Sequence, residues 1–303
     1  MPDAPSLVTV EPVESRSQLR RFADVPFVLL GHDGRWARGV RAWEQWRLGA
    51  RRHPYFERGD AAFLLARRAG QPVGRIAAHV EGTGVGAGWF GLFDAADDAE
   101  VVDALLAAAS AWLAEQEAMT MVGPVTWAID EEAGVLVDGY DHPAATGRPW
   151  HPPWYADQLR RAGGAPDQRI ETFRLEVPPD VGEAPSPSGD PRPPVAGGYA
   201  DPALVLEGIA AVPDVAPLLA GASVRSAWRV ARAARERPSD TAVVVRCDGD
   251  PAELVPGLLR ACAARGYRWL LSPWAPDDRP PERTHQLFRF PLEELAAAPY
   301  PST

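Results

Sequence analysis

Residues that could move protons are concentrated in one short stretch of the chain. Asp130, Glu131 and Glu132 are adjacent, and neighbouring carboxylates raise one another's pKa towards that of a base when they are partly buried. His151 belongs to the sequence WHPPWY, where prolines restrict the backbone and aromatic neighbours can desolvate the imidazole. Tyr155 ends this motif and supplies a proton donor. These residue types predict general acid–base chemistry.

Each of these groups also has an ordinary structural explanation. Adjacent acidic residues are typical of a solvated loop, and a histidine among aromatic residues is typical of a packed loop. Both explanations stay open at the level of the sequence. The remaining histidines have no recognisable catalytic partner in the sequence: His32, His53, His79, His142 and His285.

Several kinds of chemistry are disfavoured by the residue types present. The sequence contains no lysine, which excludes a Schiff base or a catalytic lysine. Cys247 and Cys262 are too few for a disulfide framework and lack the spacing of metal ligands. No histidine pair has zinc-ligand spacing, and no G-x-S-x-G motif is present. We therefore predict no metal site, and the sequence has no serine nucleophile elbow.

Composition predicts a globular, cytoplasmic protein of about two domains. The 303 residues are 46% hydrophobic and 24% charged, which is ordinary for globular proteins. No run approaches the roughly 18 apolar residues of a membrane span, and the N-terminus lacks the apolar segment of a signal peptide. The net charge of −10 disfavours a nucleic-acid partner. The expected partners are small molecules, and the oligomeric state is not determined by these features.

Hydrophobic periodicity predicts a mixed α/β chain. Apolar and polar residues alternate from Leu7 to Val13 as in a strand, and Ser17–Leu30 is a predicted helix that Pro26 interrupts or kinks. Tryptophans and arginines recur at helical spacing in Arg35–Arg52. The next predicted elements are a hairpin of Ala61–Ala66 with Val73–Val80, a strand at Gly88–Phe93, a helix at Asp98–Gln116 and a strand at Met121–Trp127.

A segment rich in proline, glycine and serine divides the chain. Val177–Gly198 has almost no large apolar residue, so it cannot bury enough surface to fold alone. We predict an N-terminal domain of residues 1–177, a linker of residues 178–198 and a smaller C-terminal domain of residues 199–303.

The C-terminal part repeats a feature of the N-terminal part. AEVVDALLAA at Ala99–Ala108 is echoed by AELVPGLLRA at Ala252–Ala261, and each decamer precedes a strand that ends in a tryptophan, Trp127 or Trp274. This shared context favours a duplicated strand-helix-strand unit. It predicts a small sheet in the C-terminal part, with strands at Thr241–Arg246 and Tyr267–Ser272 and a helix at Pro251–Ala264.

The order of these motifs resembles the GNAT superfamily of N-acetyltransferases. The hairpin AAFLLARRAGQPVGRIAAHV, the strand GWFGLF, the following helix and the strand MVGPVTW are similar to the central part of that fold. Together with FGLFDAADDAEVVDALL, GPVTWAIDEEAGVLVDGYD and WHPPWY they resemble a bacterial family of GNAT-like acetyltransferases that has a second GNAT-like half. The resemblance covers about residues 53–175 and implies a mixed sheet in two tandem halves, the second of them reduced.

The resemblance also implies an acyl-CoA co-substrate, with no covalently bound cofactor. Gly91, Leu92 and Phe93 are the strand residues expected to contact it. Typical GNAT enzymes hold the pyrophosphate of acetyl-CoA with a glycine-rich loop at a helix N-terminus, and this sequence has no such loop. Asp94, Asp97 and Asp98 occupy the first equivalent place. Carboxylates there cap the helix N–H groups and repel phosphate, so the sequence predicts an atypical donor site.

Three functions remain compatible with the sequence. The first is an acyltransferase that moves an acyl group from a CoA-linked or carrier-linked donor to a small amine. The second is a binding or assembly protein that kept the scaffold and lost the donor site. The third is aminoacyl transfer from charged tRNA, which would require a groove lined by the following arginines: Arg225, Arg229, Arg232, Arg235 and Arg237.

The fold is expected to bring the proton-moving residues to one cleft. Loops that follow the strands of a shared sheet converge at its edge. The strand that ends at Trp127, the acidic turn Asp130–Glu132 and the aromatic loop Trp150–Tyr155 are therefore predicted to face the same cleft.

Overall fold

The computed structural model describes most of the N-terminal part of the chain and several segments of the C-terminal part. The described residues are 7–36, 48, 54–82, 86–127, 132–144, 148–179, 222–226, 241–247, 259–260, 262–263 and 268–292. The predicted linker, most of the predicted helix at Arg35–Arg52 and most of that at Pro251–Ala264 lie outside them.

The described residues form thirteen strands, eleven of which belong to one mixed sheet. The first five strands are β1 (Val8–Pro12), β2 (Gly59–Arg68), β3 (Gln71–Glu81), β4 (Gly86–Ala95) and β5 (Ala118–Gly123). The next four are β6 (Val125–Thr126), β7 (Glu132–Ala133), β8 (Val135–Asp138) and β9 (Ala165–Glu176). The last four are β10 (Ala222–Ser226), β11 (Thr241–Cys247), β12 (Trp269–Ser272) and β13 (Arg283–Pro291).

The N-terminal strands include those predicted from the sequence. β1 to β4 are neighbours in chain order and antiparallel, and β4 pairs with β5 in parallel. The predicted hairpin is confirmed: β2 and β3 are joined at Ala69 and Gly70, both with positive φ. The predicted strand at Met121–Trp127 is divided into β5 and the short β6, which pairs with β7 in a separate two-stranded sheet.

Helix α1 (Arg16–Leu29) begins at a capping box and continues through a proline. The Ser15 side chain accepts a hydrogen bond from the Gln18 backbone N–H, and the Gln18 side chain accepts one from the Ser15 N–H, which satisfies two of the N–H groups that a helix start leaves without partners. Pro26 lies inside the helix and is buried. The helix packs against β3 and β4, so its C-terminal turn lies beside the sheet.

Helix α2 (Ala99–Glu115) follows β4 and returns the chain to β5. Its buried residues recur at helical spacing, from Val101 to Leu113. They pack with apolar residues of β2 to β5 in one large core cluster. The predicted helix at Asp98–Gln116 is thus confirmed. None of the described helices is long and apolar enough to cross a membrane.

The C-terminal strand β13 lies inside the sheet of the N-terminal part. It pairs with β5 on one side and with β9 on the other, and β8 pairs with it as well. Its Phe288 and Phe290 belong to the same core cluster as α2. β9 then continues to β12, β11 and β10, with β11 and β12 parallel. The strands predicted at Thr241–Arg246 and Tyr267–Ser272 are confirmed as β11 and β12. The predicted domain boundaries stay a prediction.

Candidate functional site

The candidate site lies where β4 leaves β5. The parallel pairing of the two strands runs from Gly86 to Trp89 on β4, and Leu92 then has a positive φ of 46°. β6 lies beside β4 at this point, and the Leu92 N–H donates a hydrogen bond to Thr126 Oγ1 at 3.3 Å. A Cβ on Gly91 would lie 2.1 Å from the Val125 carbonyl oxygen, so only glycine fits there. At this point the neighbour of β4 changes from β5 to β6, and the chain bends around a cavity.

The cavity has a volume of about 110 Å³, and its lining residues fall into two chemical groups, which we call the polar half and the apolar half. The polar half contains side chains of Arg75, Asp94, Thr126, Glu132 and His151. The apolar half is made by Pro26, Phe27, Leu30, Trp36 and Trp150. Other residues that line it are Leu92, Phe93, Pro124, Gly134 and Pro149.

A buried ion pair forms part of the polar half. Arg75 on β3 and Asp94 on β4 are partners in strand register, and Arg75 Nε donates to Asp94 Oδ2 at 2.6 Å. Both residues are buried, and Arg75 Nη1 also donates to the Phe22 carbonyl oxygen at 3.3 Å. The guanidinium lies 5.2 Å from the centre of the Phe22 ring. These contacts hold both charges in fixed positions. Removal of either partner would leave the other charge buried and uncompensated.

His151 lines the cavity as a neutral imidazole. The ring is buried, and its Nδ1 accepts a long hydrogen bond of 3.4 Å from the Leu136 N–H. The ring proton is therefore on Nε2. Burial lowers the pKa of His151 to about 4, although the nearby carboxylates of Asp94 and Glu132 act in the opposite direction. At neutral pH His151 is an N–H donor rather than a cation.

One of the three predicted carboxylates is described, and it lies in the cavity lining. Glu132 begins β7, where it is the strand partner of Thr126 on β6. The short β6–β7 ladder therefore brings Glu132 to the same cavity as His151. Asp130 and Glu131 lie outside the described residues, so their predicted roles stay predictions.

Tyr155 lies next to His151 and is not among the residues that line the cavity. It belongs to helix α3 (Trp154–Arg161), and its hydroxyl oxygen accepts a hydrogen bond from the Ala95 N–H at 3.2 Å. Its ring centre is 4.9 Å from that of His151. Burial is the main cause that raises the pKa of Tyr155 well above its usual value, and the charge of Asp94 adds to it. The geometry gives Tyr155 a packing position behind the imidazole.

Of the residues predicted to contact a donor, Leu92 and Phe93 line the cavity, while Gly91 faces the Val125 carbonyl. Sequence reasoning missed Arg75 and Thr126. The register of the predicted hairpin and the following strand was the signal that could have placed Arg75 opposite Asp94. Trp127 is also away from the cavity lining, since its indole stacks on Tyr55 with ring centres 5.0 Å apart.

The N-terminus of α2 is closed by its own side chains. Asp98 caps the helix, and its Oδ1 accepts from the N–H groups of Glu100 and Val101. Arg68 on β2 forms salt bridges with both Asp98 and Glu100. The hydrogen bond from Arg68 is the main cause that lowers the pKa of Asp98. Within the described residues, no group of three histidine, cysteine or acidic side chains is placed to hold a metal ion.

Comparison with known structures identifies the fold. A tandem GNAT protein from the clavulanic acid biosynthesis pathway superposes with a TM-score of 0.56 at 14% identity, over 98% of this chain and all of the other. A GCN5-related glucosamine N-acetyltransferase region of a fungal multi-domain GH3 beta-N-acetylglucosaminidase gives a TM-score of 0.51 at 13% identity, over 95% of this chain and 38% of that one. The chain has the GNAT fold in a tandem arrangement, as the sequence predicted.

Two curated proteins are similar in sequence. Protein YghO of Escherichia coli (strain K12) is 42% identical over 104 residues, which are 33% of this chain and 27% of that protein. Bacterial ceramide synthase of Caulobacter vibrioides (strain NA1000 / CB15N) is 29% identical over 182 residues, or 58% of this chain and 47% of that protein. The matches span less than half the length of these relatives. No protein-family model matches the chain.

Proposed function

We propose that the protein is an N-acyltransferase that moves an acyl group from a thioester donor to an amine in the cavity beside Leu92. The observation that carries this proposal is the position of His151, Glu132 and the Arg75–Asp94 pair around one cavity, where β4 leaves β5. The GNAT fold supports the reaction class.

The residues of the cavity match the needs of this reaction. An amine must lose a proton when its nitrogen bonds to the thioester carbonyl, and Glu132 is the carboxylate that accepts it in our proposal. The neutral His151 donates its Nε2–H to the developing oxyanion, because a fixed donor in a water-poor site stabilises charge that forms in the transition state. The C–S bond then breaks as the carbonyl re-forms, and the thiolate takes up the proton that Glu132 accepted from the amine.

The remaining polar residues hold this arrangement. Arg75 and Asp94 compensate each other's charge, so they add a fixed dipole rather than a second base. Tyr155 packs against the His151 ring, and its hydroxyl oxygen accepts a hydrogen bond from the Ala95 N–H. In our proposal Tyr155 therefore positions the imidazole. Thr126 bonds to the Leu92 N–H and keeps the bend of β4 in place.

A lipid-like acceptor is supported by one relative and by the apolar half of the cavity. A similar protein is named bacterial ceramide synthase, and a ceramide is the N-acyl amide of a long-chain amino alcohol. Trp36, Trp150 and Phe27 supply an apolar surface next to the proposed catalytic groups. We therefore propose an amine with a hydrocarbon chain as the acceptor.

Amide formation by the purified protein tests this proposal. Acyl-CoA and carrier-linked acyl donors are each mixed with short and long-chain amines, including amino alcohols, and products are detected by mass spectrometry. We expect Glu132→Gln and His151→Asn each to lower turnover by about 100-fold or more. Glu57→Gln, at an exposed position, is the control. An absence of amide with every pair, or full activity of both site variants, would contradict the proposal.

A second candidate function rests on the closed N-terminus of α2. The Asp98 cap and its salt bridge with Arg68 occupy the place where GNAT enzymes bind pyrophosphate. This favours either a donor without that phosphate contact or a protein that binds a ligand without catalysis. The third possibility, transfer from tRNA, depends on arginines of which only Arg225 lies in a described segment.

A further inference from the structure

Arg35 connects two segments that form the apolar half of the cavity. Its guanidinium makes two hydrogen bonds to Asp33, of 3.0 Å to Oδ1 and 2.7 Å to Oδ2. The same group lies over the Trp150 ring, 4.5 Å from its centre, and Nη1 donates to the Tyr140 carbonyl oxygen at 3.4 Å. We refer to Arg35, Asp33, Tyr140 and Trp150 as the Arg35 clamp.

Backbone and indole contacts strengthen this connection. The Ala144 N–H donates to the Arg35 carbonyl oxygen at 2.7 Å. The Trp150 indole N–H donates to the same Tyr140 carbonyl oxygen that Arg35 contacts, at 2.9 Å. The segment after α1 and the segment after β8 are therefore held together by main-chain and side-chain bonds.

Of the two tryptophans that line the cavity, one belongs to the clamp and the other follows Arg35 directly in the chain. Trp36 follows Arg35 directly and packs edge-on against Phe27, with ring centres 5.1 Å apart. Trp150 is buried beneath the Arg35 guanidinium. Both tryptophans face the cavity together with Phe27. Loss of Arg35 would therefore loosen the wall on both of its sides.

The clamp is also connected to the imidazole of the site. The Tyr140 hydroxyl donates to the Leu136 carbonyl oxygen at 3.2 Å, and the Leu136 N–H donates to His151 Nδ1. Arg35 itself does not line the cavity, and its side chain is 44% exposed. It can therefore be altered without removing a group from the polar half.

We propose that Arg35 is a specificity-determining residue, which fixes Trp36 and Trp150 as one wall against the hydrocarbon part of the ligand. This inference rests on the proposed function, because it assigns the polar half of the cavity to the amine of the acceptor. An amine with an alkyl chain fits both halves, since its nitrogen meets Glu132 while its methylene groups leave water for the tryptophan surface. Arg35 thus selects the hydrocarbon chain of the ligand although it does not contact that hydrocarbon chain.

Binding of an n-alkylamine series tests the inference directly. Dissociation constants for propylamine to nonylamine are measured by calorimetry on the wild-type chain, on Arg35→Ala and on Arg35→Lys. Full burial of one methylene tightens binding about fourfold. We expect the wild type to approach that increment over the first few methylenes. For both variants we expect less than about twofold, because lysine lacks the planar fork that stacks on an indole and pairs with a carboxylate.

Matched variants separate this role from general destabilisation. Arg58→Ala removes another exposed arginine, which pairs with Glu81 and does not line the cavity, and should keep the wild-type increment. Circular dichroism establishes that each variant is folded. If Arg35→Ala fails to fold, Arg35→Lys and Trp150→Phe decide the outcome, the latter because it removes the indole bond to Tyr140 while it retains an aromatic ring.

The outcomes distinguish this inference from the proposed function. A wild-type increment that falls below about twofold in Arg35→Lys supports the clamp. It does so even if no amide forms with any donor, a result that would contradict only the proposed function. Equal increments in the wild type and the variants, or no increment in the wild type, would overturn the role of Arg35. Amide formation by Arg35→Lys with unchanged preference for chain length would overturn it as well.

Discussion

Three buried histidines lie on or near the site, and burial lowers the pKa of each. His79 hydrogen-bonds the Val125 carbonyl oxygen through Nε2 at 2.8 Å, and its pKa is lowered to about 4. His151 has the same value for the same reason. His285 bonds the Pro149 carbonyl oxygen at 2.9 Å, and its pKa lies well below the usual value. All three imidazoles are therefore neutral at pH 7.

These histidines make the fold sensitive to mild acid. The unfolded chain takes up protons on histidine below about pH 6.5, whereas folded His79 and His151 do so only near pH 4. The unfolded state therefore binds more protons in this window, so the free energy of unfolding falls as the pH falls from 6.5 towards 4. The limiting slope is about 1.4 kcal/mol per pH unit for each histidine.

Urea titrations at several pH values measure this dependence. We expect His151→Gln to remove about one third of the histidine contribution to the slope between pH 6.5 and 4, because one of the three buried imidazoles is then absent. His32→Gln, at an exposed position, serves as the matched control and should keep the slope of the wild type. A pH-independent free energy of unfolding in this window would show that the histidines are not buried as described.

Gly91 sets the bend of β4 at the level of a single residue. An added Cβ would lie 2.1 Å from the Val125 carbonyl oxygen, and backbone atoms cannot yield as a flexible side chain does. We expect Gly91→Ala to lower the free energy of unfolding by about 1–3 kcal/mol, as overpacking does. Gly34→Ala, where a Cβ meets nothing within 4 Å, is the control. Chemical denaturation of both variants measures the difference, and equal stability would refute the close contact.

At the scale of secondary structure, helix α2 shows how a typical ligand site can be closed by the chain itself. The first N–H groups of a helix lack intrahelical partners, and with the helix dipole they attract anions. In α2 the Asp98 carboxylate takes this place, and Arg68 from β2 holds it there. A phosphate would have to displace a bonded carboxylate.

Donor binding should therefore be weak at this helix. We expect acetyl-CoA to bind with a dissociation constant no tighter than about 100 μM, near −5.5 kcal/mol. Calorimetry with the purified protein measures it, and desulfo or dephospho analogues separate the contributions of the two ends of CoA. A micromolar constant would show that the Asp98 cap does not exclude the phosphates.

The same cap also contributes to stability. Asp98→Ala leaves two helix N–H groups without their acceptor and breaks the salt bridge with Arg68. We expect the free energy of unfolding to fall by about 1–2 kcal/mol. Asp157→Asn, at a strongly exposed carboxylate, is the control. Thermal and urea denaturation measure the effect, and an unchanged midpoint would contradict the role of the cap.

At the scale of the whole molecule, β13 joins the end of the described chain to the N-terminal sheet. It lies between β5 and β9, and its Phe290 ring contacts Phe90 of β4 with centres 6.0 Å apart. The core around α2 is therefore incomplete without a strand that lies more than 150 residues later in the sequence.

Core substitutions on the two sides of this contact should act alike. We expect Phe290→Ala and Phe90→Ala each to lower the free energy of unfolding by about 3–5 kcal/mol. The double variant should lose less than the sum, since the two rings touch each other. Leu7→Ala, at an exposed position, is the control. If Phe290→Ala left the urea transition of the N-terminal part unchanged, β13 would not be part of that core.

Local patterns in the sequence determine much of this protein. The hairpin of β2 and β3, the strand that contains Gly91 and the helix that begins after Asp98 follow from short-range alternation, turn residues and a capping carboxylate. These features act between residues close in sequence, so they can be read without the fold. The same local features led to the resemblance to tandem GNAT proteins, which structural comparison confirms.

The tertiary structure alone decided which of these residues meet. His151 and Glu132 were singled out from their residue types, but the cavity depends on Arg75, on the bend at Leu92 and on a tryptophan wall held by Arg35. Such contacts join residues that are far apart in sequence. Their partners are selected by strand register and by the packing of α1 on the sheet, and no local periodicity encodes either of these.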